Sequence, residues 1–568
     1  MHKIPSRFLI ILYFYKMPVK PGNILLLFVF ILQYCPSITK AQTLRSRTYY
    51  LSPKGDDRAN GISPATAWRT LDRINQKRFN PGDSILLQAG KTFAGFITLD
   101  SLDGGSPGNP LVISSYGKGM ALIEAGYGNG IYGYDCSFIS ISKLLIKGRG
   151  VEKNKGCGIF FYSDRHDMQC RQIRIDHCIT EGFHQYGILF SCAEGEDIKG
   201  FDQVRITHCN AFDNGEAGIG SSGGQTKFHH TNFYVGDCKA FGNKGIPTKT
   251  ENHSGNGIVM GGIENLLIEH CEAFENGALN RCKGGGPVGI WVWLCKKAVI
   301  QYCESHHNHA GLIKDGGGFD IDGGSSDCVI QYNYSHDNEG AGYLLAEYGA
   351  ILPFVNDTIR FNISQNDGRK NGYGAITIWG VDKNYRVRNS AIYNNTIFVS
   401  GNATVNGIPS GVLLMGSNLE GVVITNNIIS TSCGALLIKA EEKVDTNAVK
   451  FISNNYYSYN NNNAFIWGDH SFHSLESWRS ATAGQEFFER KFLGTTLDPQ
   501  FLAAGSGKTI GNTRLMARQL NAYRLQKTSC MRNSGIDLQL LHIFRGKHDF
   551  YGKRIDNTSP PFTGASVY

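Results

Sequence analysis

The chain has 568 residues and a formal net charge of +8, with 69 glycines, 16 prolines and 11% aromatic residues. Plentiful aromatic residues and patterned apolar positions exclude a disordered chain and favour a folded, glycine-rich β protein. Five of the eight net positive charges lie in the first 41 residues, and the three that remain are too few to indicate a nucleic-acid partner.

Residues 1–41 are predicted to be a secretory signal peptide. Lys16 and Lys20 precede an apolar run from residue 24 to 32, which Ala41 would follow as the last residue before cleavage. The initiator is either Met1 or Met17, and the run is short for a membrane span. We therefore expect export to the periplasm, the cell surface or the medium, without stable membrane insertion. The exported protein is expected to be a monomer.

Residues 42–127 are predicted to form an N-terminal cap and the first coils of the fold. Short apolar stretches indicate strands, and the segment from Ser63 to Leu71 is predicted to form a short amphipathic helix. Ser63 suits an N-cap and Pro64 the first helical position, while Trp68 and Leu71 share one face. This helix is expected to cover one end of the repeats that follow.

From residue 128 to about 480 the chain repeats an apolar-x-x-Cys/Asn motif every 28 to 33 residues. The motif begins and ends at Ile175/Cys178, Ile206/Cys209, Val235/Cys238, Ile268/Cys271, Ile300/Cys303, Ile330/Asn333, Ile359/Asn362, Ile392/Asn395, Ile424/Asn427 and Ile452/Asn455. A period of this length with short strands and no room for a long helix indicates an all-β fold, a single-stranded right-handed parallel β-helix. Residues 481–568 are expected to form an irregular tail that packs on the rod or its end.

The cysteines of this motif are predicted to stack in the interior rather than to pair or to bind metal. They occupy one position of successive coils, where small thiols pack and later asparagines can hydrogen-bond along the stack. A stacked row does not converge on a metal ion.

The opening Tyr50-Leu51-Ser52-Pro53-Lys54-Gly55-Asp56-Asp57, the segment 63–71 and the stacked repeats together resemble the right-handed parallel β-helix proteins of the pectate-lyase-like superfamily. The closing Asp549-Phe550-Tyr551-Gly552 is similar to the ends of exported bacterial members. The resemblance implies a polysaccharide or oligosaccharide substrate, but the superfamily includes hydrolases, lyases, epimerases, esterases and non-catalytic stalks.

Two neighbouring strands carry the candidate site. Residues 289–294 place Trp291 and Trp293 on one face, and residues 318–323 place Asp320 and Asp322 at the equivalent positions. If the coils stack in register, a tryptophan pair lies beside an aspartate pair on the exposed outer wall. Aromatic faces beside carboxylates are typical of a sugar-binding site.

The favoured interpretation is a glycoside hydrolase. The Cα atoms of Asp320 and Asp322 are expected roughly 6.5–7 Å apart, and an inverting glycosidase needs an acid and a base roughly 6.5–9.5 Å apart. We expect these two residues to be catalytic, with Asp315 assisting or replacing one of them. The predicted substrate contacts are Trp291, Trp293, Lys314, Glu347 and His307.

Two alternatives stay open. A calcium-dependent polysaccharide lyase or epimerase would use Asp315, Asp320 and Asp322 as ligands, with Lys314 or a histidine of residues 306–309 as base. A non-catalytic surface protein would bind glycan through its tryptophans. The hydrolase needs no cofactor, whereas the lyase needs Ca²⁺, and the scarcity of Lys and Arg near the acids favours a neutral glycan.

Overall fold

The computed structural model describes residues 46–380, 384–441, 444–460, 464–482, 484–556 and 559–567, so the predicted signal peptide lies outside the described residues. The chain winds as a single-stranded parallel β-helix. Each coil adds one strand to each of three sheets, which the chain visits in the order sheet 1, sheet 2, sheet 3. The predicted all-β parallel solenoid is confirmed.

Sheet 1 contains, in spatial order, Thr48–Leu51, Ser84–Gln88, Leu111–Tyr116, Ile139–Ser142, Ile173–Asp176, Phe201–Thr207, His230–Gly236, Ile263–Glu269, Lys296–Gln301, Val329–Gln331, Thr358–Arg360, Ala391–Tyr393, Val422–Thr425 and Val449–Ile452, with Cys170–Arg171 also paired to Phe201–Thr207. Sheet 2 contains Thr92–Ala94, Ala121–Gly126, Leu144–Gly148, Ile179–Glu181, Asn210–Phe212, Lys239–Phe241, Glu272–Phe274, Glu304–His306, Tyr334–His336, Ile363–Gln365, Thr396–Ser400, Ile428–Ser432 and Asn455–Ser458.

Sheet 3 contains Ile97–Leu99, Ile131–Tyr134, Ile159–Ser163, Tyr186–Cys192, Ala217–Ser222, Asn256–Gly261, Val288–Trp293, Gly317–Asp322, Tyr343–Glu347, Gly374–Gly380, Ser410–Met415, Leu436–Ala440, Phe465–Trp467 and the antiparallel His470–Phe472. Two-residue strands pair as Val387–Arg388 with Leu419–Glu420 and as Phe487–Phe488 with Lys491–Phe492. The helices are Asp72–Asn75, Leu475–Ala481 and Met516–Gln519, with 3-10 turns at Pro64–Thr66, Thr513–Leu515, Cys530–Asn533 and Leu538–Leu541. No helix of the described ranges is long and apolar enough to cross a membrane.

The interior of the rod is filled by every second residue of each strand. In Ile173–Asp176 the two isoleucines are buried while Arg174 is exposed. On sheet 3, Phe319 stacks on Tyr343 of the next coil with ring centroids 5.3 Å apart. Because the side-chain period of a strand is two, the alternate positions necessarily face outward. This alternation fixes which residues of sheet 3 can form an external site.

The predicted Cys/Asn row is an interior ladder that closes the turn between sheets 1 and 2. Its five cysteines, like the other nine cysteines of the described residues, are free thiols. Cys303 donates its backbone N–H to Asn333 Oδ1 at 2.9 Å, and Asn333 Nδ2 donates to Asn362 Oδ1 at 3.1 Å. The residue before each ladder member takes the left-handed conformation that a tight turn requires, as at Tyr332 with φ 58°. The ladder hydrogen bonds offset the strain of these turns.

One member of the predicted row is wrong. Asn427 donates to Asn454 rather than to Asn455, and Ile424 pairs with Phe451. Asn454 in turn donates to the buried carboxylate of Glu486 at 2.8 Å, which ends the ladder. Two consecutive asparagines made the sequence ambiguous by one residue here.

A second ladder, which the sequence analysis did not identify, closes the turn between sheets 2 and 3. Asn243 Nδ2 donates to Asn276 Oδ1 at 3.0 Å, and the same bond continues through Asn308 and Asn338 to Asp367. The two ladders together hold successive coils in a single register along the rod.

The N-terminal cap differs from the single helix that was predicted. Ser63 caps a 3-10 turn at Pro64–Thr66, after which the chain extends so that Trp68 bridges Leu51, and a separate helix follows at Asp72–Asn75. Trp68 stacks on Tyr49 with ring centroids 5.0 Å apart. The predicted capping residues and the burial of Trp68 and Leu71 are confirmed.

The other end of the rod and one flank are covered by the last part of the chain. Trp478, on the helix Leu475–Ala481, is fully buried and stacks on Phe465 at 5.0 Å. Farther on, Tyr523 and Phe550 pack against Tyr334 of sheet 2 in one apolar cluster. The described contacts of this segment lie on sheet 2, on the turn beside it and at the C-terminal end of the rod.

We predict that Asn395→Ala lowers the free energy of unfolding by about 1–3 kcal/mol, because it leaves the buried N–H of Asn362 without its acceptor. Denaturant unfolding measures the loss. Asn402→Ala, at an exposed position outside both ladders, is the control and should change little. Equal effects of the two substitutions would contradict a stabilising role for the ladder.

Candidate active site

The predicted tryptophan and aspartate pairs lie side by side on the outer face of sheet 3. Trp291 pairs with Asp320 and Trp293 with Asp322 in the parallel register of neighbouring strands. The residues between them, including Ile290, Val292 and Ile321, belong to the interior core. The predicted register and outward orientation are therefore confirmed.

These side chains line a cleft of about 400 Å³ rather than an open wall. Asp315, Trp379 and Tyr348 complete its floor and sides, and two loops around residues 251–253 and 282–286 form its outer walls. Trp291 is only 6% exposed as a result, and Trp293 is half-buried. The tryptophan pair is therefore less exposed than an outer wall implied, because these loops fold over it.

Trp291 is held in place by a residue that sequence reasoning missed. Asn256 Oδ1 accepts the indole Nε1–H at 3.0 Å and also the backbone N–H of Val288 at 3.2 Å. The ring of His253 lies 5.5 Å from the indole. A fixed indole offers a rigid apolar face, which lowers the entropy cost of holding a sugar ring.

Asp315 lies at the edge of the cleft with both carboxylate oxygens bound. Gly286 N–H donates to Oδ2 at 2.7 Å, and the Tyr373 hydroxyl donates to Oδ1 at 2.9 Å. Burial raises the pKa of Asp315, while these two donors act in the opposite direction by stabilising the carboxylate. No signal in the sequence points to Tyr373, which reaches Asp315 from a strand two coils later.

Asp320 and Asp322 differ in how far they reach into the cleft. Asp320 is 3% exposed, and its buried Oδ1 has no hydrogen-bond partner in the part of the chain that the structure describes. Asp322 is half-buried and accepts the N–H of Gly323 at 2.9 Å. Burial first, and then the neighbouring carboxylates, raise the pKa of Asp320 well above its usual range and that of Asp322 to about 8. Both groups therefore favour the protonated form near neutral pH.

The charge of the cleft wall is otherwise low. Lys314 places its Nζ 5.0 Å from the centroid of the Trp379 ring, in a cation–π contact at the margin of the cleft. Among the described residues that line the cleft, none is lysine or arginine. Such a lining does not match the charge of a uronic-acid chain.

Two of the predicted substrate contacts do not reach the cleft. Glu347 is buried, and its carboxylate accepts the N–H groups of Gly324, Gly349 and Ala350 at 3.2, 2.6 and 2.9 Å. One of its oxygens is bound by the turn that follows its own strand and the other by the turn that follows the preceding strand of sheet 3, so they are not available to a sugar. Its negative charge still raises the pKa of Asp322.

His307 lies on another side of the rod. It occupies the left-handed turn position, with φ 52°, between sheet 2 and Asn308 of the second ladder, and it contacts His306 and His336 of sheet 2. The histidines of residues 306–309 are therefore separated from the aspartates by a turn of the coil. Proximity in sequence misled the prediction, because a coil changes direction within a few residues.

Within the described ranges, two groups bring three potential metal ligands within 4.8 Å of one another, and neither lines the cleft. They are Asp176, His177 and His208, and Glu304, His306 and His336. The three cleft aspartates do not form such a group among the described residues. Calcium binding by Asp315, Asp320 and Asp322 stays a prediction of the lyase alternative.

The chain is similar to several known proteins. The family model "Right handed beta helix region" matches residues 229–392. A lacto-N-biosidase of Bifidobacterium longum subsp. longum is 23% identical over 519 residues, which cover 74% of this chain and 31% of that protein. The native crystal structure of a GH136 lacto-N-biosidase from Eubacterium ramulus matches with 19% identity and a TM-score of 0.50 over 69% of this chain and 68% of that one.

The selenomethionine derivative of the Eubacterium enzyme has the same TM-score, 0.50, over 65% of this chain. The chain spans about a third of the length of the curated Bifidobacterium relative, and at this identity the structural matches bear on the fold alone. Together with the three stacked sheets, the comparisons confirm the resemblance seen in the sequence. The chain has the right-handed parallel β-helix fold that the family model describes.

Proposed function

We propose that the chain is an exported, monomeric glycoside hydrolase that cleaves a neutral oligosaccharide in the cleft of sheet 3. The observation that supports this most is the placement of three aspartates beside a pair of indoles in one walled cleft. Indole faces stack on sugar rings, and most glycoside hydrolases use a pair of carboxyl groups for catalysis. The two lacto-N-biosidases among the similar proteins support the same class of reaction.

We propose different roles for the three aspartates on the basis of their exposure. Asp315 and Asp322 are half-buried and open to the cleft, whereas Asp320 is almost fully buried behind them. We infer that Asp322, with its raised pKa, is the general acid, and that Asp315, whose carboxylate is stabilised by Tyr373 and Gly286, is the base or nucleophile. Asp320 has no reacting role in this assignment, because burial and the charges of Asp322 and Asp315 raise its pKa and keep it protonated behind them.

This assignment changes the pair that the sequence favoured. The expected spacing of Asp320 and Asp322 suggested an inverting mechanism, but it does not predict the stereochemical outcome for Asp315 and Asp322. The anomer that forms first, observed by NMR, distinguishes inversion from retention.

The substrate is inferred from the lining and from the name of the relatives. A cleft with indole faces, carboxyl groups and no lining lysine or arginine among its described residues suits neutral sugars. The name lacto-N-biosidase suggests an oligosaccharide that carries a lacto-N-biose unit. We propose such an oligosaccharide as the first substrate to test.

The lyase alternative is less well supported. Abstraction of a proton beside a uronate needs a base within hydrogen-bond reach and a cation to neutralise the carboxylate. His306, His307 and His309 belong to sheet 2 and its turn, and Lys314 is held against Trp379. No other lysine or arginine of the described cleft lining replaces them.

Replacement of the two reacting groups tests the roles. We expect Asp322→Asn and Asp315→Asn each to lower kcat by about 10²–10⁴-fold, the usual contribution of an acid or base, with oligosaccharide binding retained. Asp327→Asn, at an exposed turn on another side of the rod, is the matched control. Unchanged turnover in both variants would show that this cleft is not the active site. Binding without turnover in the unmodified protein would favour the non-catalytic alternative.

The pH profile tests the hydrogen bond from Tyr373. Activity should fall as pH rises through the pKa of Asp322, about 8, where the acid loses its proton, and as pH falls through the pKa of Asp315. Tyr373→Phe removes a donor that stabilises the Asp315 carboxylate, so its pKa rises. The acid limb of kcat/KM should then move to higher pH by about one unit, with the alkaline limb unchanged. An unmoved acid limb would contradict the role of Asp315.

A glycan panel assayed for both new reducing ends and unsaturated products separates hydrolase from lyase. We expect reducing ends without ultraviolet absorbance, from neutral oligosaccharides and not from uronic-acid chains, and the same rate after treatment with EDTA. Loss of activity on chelation together with an absorbing product would establish the calcium-dependent lyase instead.

A further inference from the structure

The outer face of sheet 3 continues beyond the cleft toward the N-terminus as one unbroken column of residues. Trp293 pairs with Gly261, and the register of the next strands places Ser222 and Ser191 in the same column. Ser191 pairs with Tyr162, which pairs with Tyr134. The column that holds Asp322 in the cleft therefore ends, several coils away, in two tyrosines.

These tyrosines belong to an aromatic platform formed by Tyr132, Tyr134, Phe160 and Tyr162. All four side chains are half-buried, and each faces away from the core, which takes their neighbours Ile131, Ile159 and Phe161. Tyr134 and Tyr162 stack with ring centroids 6.3 Å apart, and Tyr132 lies 5.4 Å from Phe160. The Tyr134 hydroxyl donates to Asp164 at 2.7 Å, which fixes the orientation of its ring.

Between the platform and the cleft, the column that contains Trp293 consists of three small residues, Gly261, Ser222 and Ser191. A Cβ atom at Gly261 would collide with the indole of Trp293, so glycine at this position lets the indole lie over the preceding coil. The hydroxyls of Ser191 and Ser222 are 2.9 Å apart and half-buried. No large side chain of the described column stands between Trp293 and Tyr162, and the two serines offer hydrogen-bonding groups along the way.

The separation matches the repeat of a sugar chain. Four coil steps lead from Trp293 to Tyr162, which amounts to roughly 19 Å at the usual strand spacing. A sugar ring in an extended chain advances by a distance similar to one coil. A chain that enters the cleft at one end would thus reach the platform after about four sugars.

We propose that the aromatic platform is a second glycan-binding site, which holds the distal part of the same neutral oligosaccharide whose other end is bound in the cleft. This inference rests on the proposed function, because the cleft defines where the chain begins. Tyrosine faces stack on sugar rings and exposed aromatic groups are costly in water without a partner. The platform would make the protein selective for long chains.

The test measures binding as a function of chain length. The probes are oligosaccharides of galactose and N-acetylglucosamine with two, four, six and eight sugars, terminated by lacto-N-biose. Calorimetric titration uses the full chain carrying Asp322→Asn, so that cleavage is slow on the time scale of the titration, and cleavage is assayed with the unmodified protein. We expect affinity to rise between four and eight sugars, and Tyr134→Ala/Tyr162→Ala to abolish this rise, about tenfold in Kd, while binding of the disaccharide is unchanged.

Two further variants serve as controls. Tyr162→Phe retains the ring and should retain the length dependence. Phe212→Ala removes a half-buried aromatic side chain from the stacked row Phe212–Phe241 on sheet 2, and should leave binding at every length unchanged. Thermal unfolding of each variant verifies that the fold is intact.

The outcomes separate failure of the platform from failure of the proposed function. If the disaccharide binds and longer chains bind no better, the platform is not a glycan site although the cleft is. If no oligosaccharide of any length binds or is cleaved, the proposed function fails together with this inference. A dimer in sedimentation that Tyr134→Ala/Tyr162→Ala dissolves would assign the platform to a second copy of the chain, and would also overturn the inference.

Discussion

Parallel stacking of coils in one register is the constraint on which the rest of this structure depends. Each outward position of a strand is brought next to the same position of the following strand, so chemistry can be assembled from residues about 30 positions apart. Trp293 and Asp322 meet for this reason alone. The two interior ladders enforce the register, because each buried amide must find its partner one coil away, and a shift by one residue would leave a row of buried polar groups unsatisfied.

The raised pKa values of the cleft aspartates follow from the same stacking of coils and from the two loops that fold over the cleft. Asp315, Asp320 and Asp322 share one cleft, and no lysine or arginine of the described lining neutralises them. Burial favours protonation of all three, neighbouring carboxylates add to this at Asp320 and Asp322, and the hydrogen bonds from Tyr373 and Gly286 oppose it at Asp315. Similar residues therefore acquire different proton affinities, which is the condition for one to act as acid and another as base.

The sequence was sufficient for the fold and for the positions of the central residues. The repeat period indicated the solenoid, and alternation along two strands placed Trp291, Trp293, Asp320 and Asp322 on one outer face, since strand period and coil stacking are both local rules. The sequence could not show Tyr373 and Asn256, which reach the site through side-chain contacts between distant coils and loops. It also misplaced Glu347 and His307, because a side chain at the end of a strand can bind the adjoining turns and one in a turn can face another sheet, and periodicity does not distinguish these outcomes.

The most direct test of the account is a crystal structure of the Asp322→Asn variant with an intact oligosaccharide from the panel. We predict a sugar ring against Trp291 or Trp293, and the scissile glycosidic oxygen within hydrogen-bond reach, about 2.6–3.2 Å, of residue 322 or Asp315. An oligosaccharide bound to another sheet of the rod, with the cleft between these indoles and carboxyl groups left empty, would contradict it.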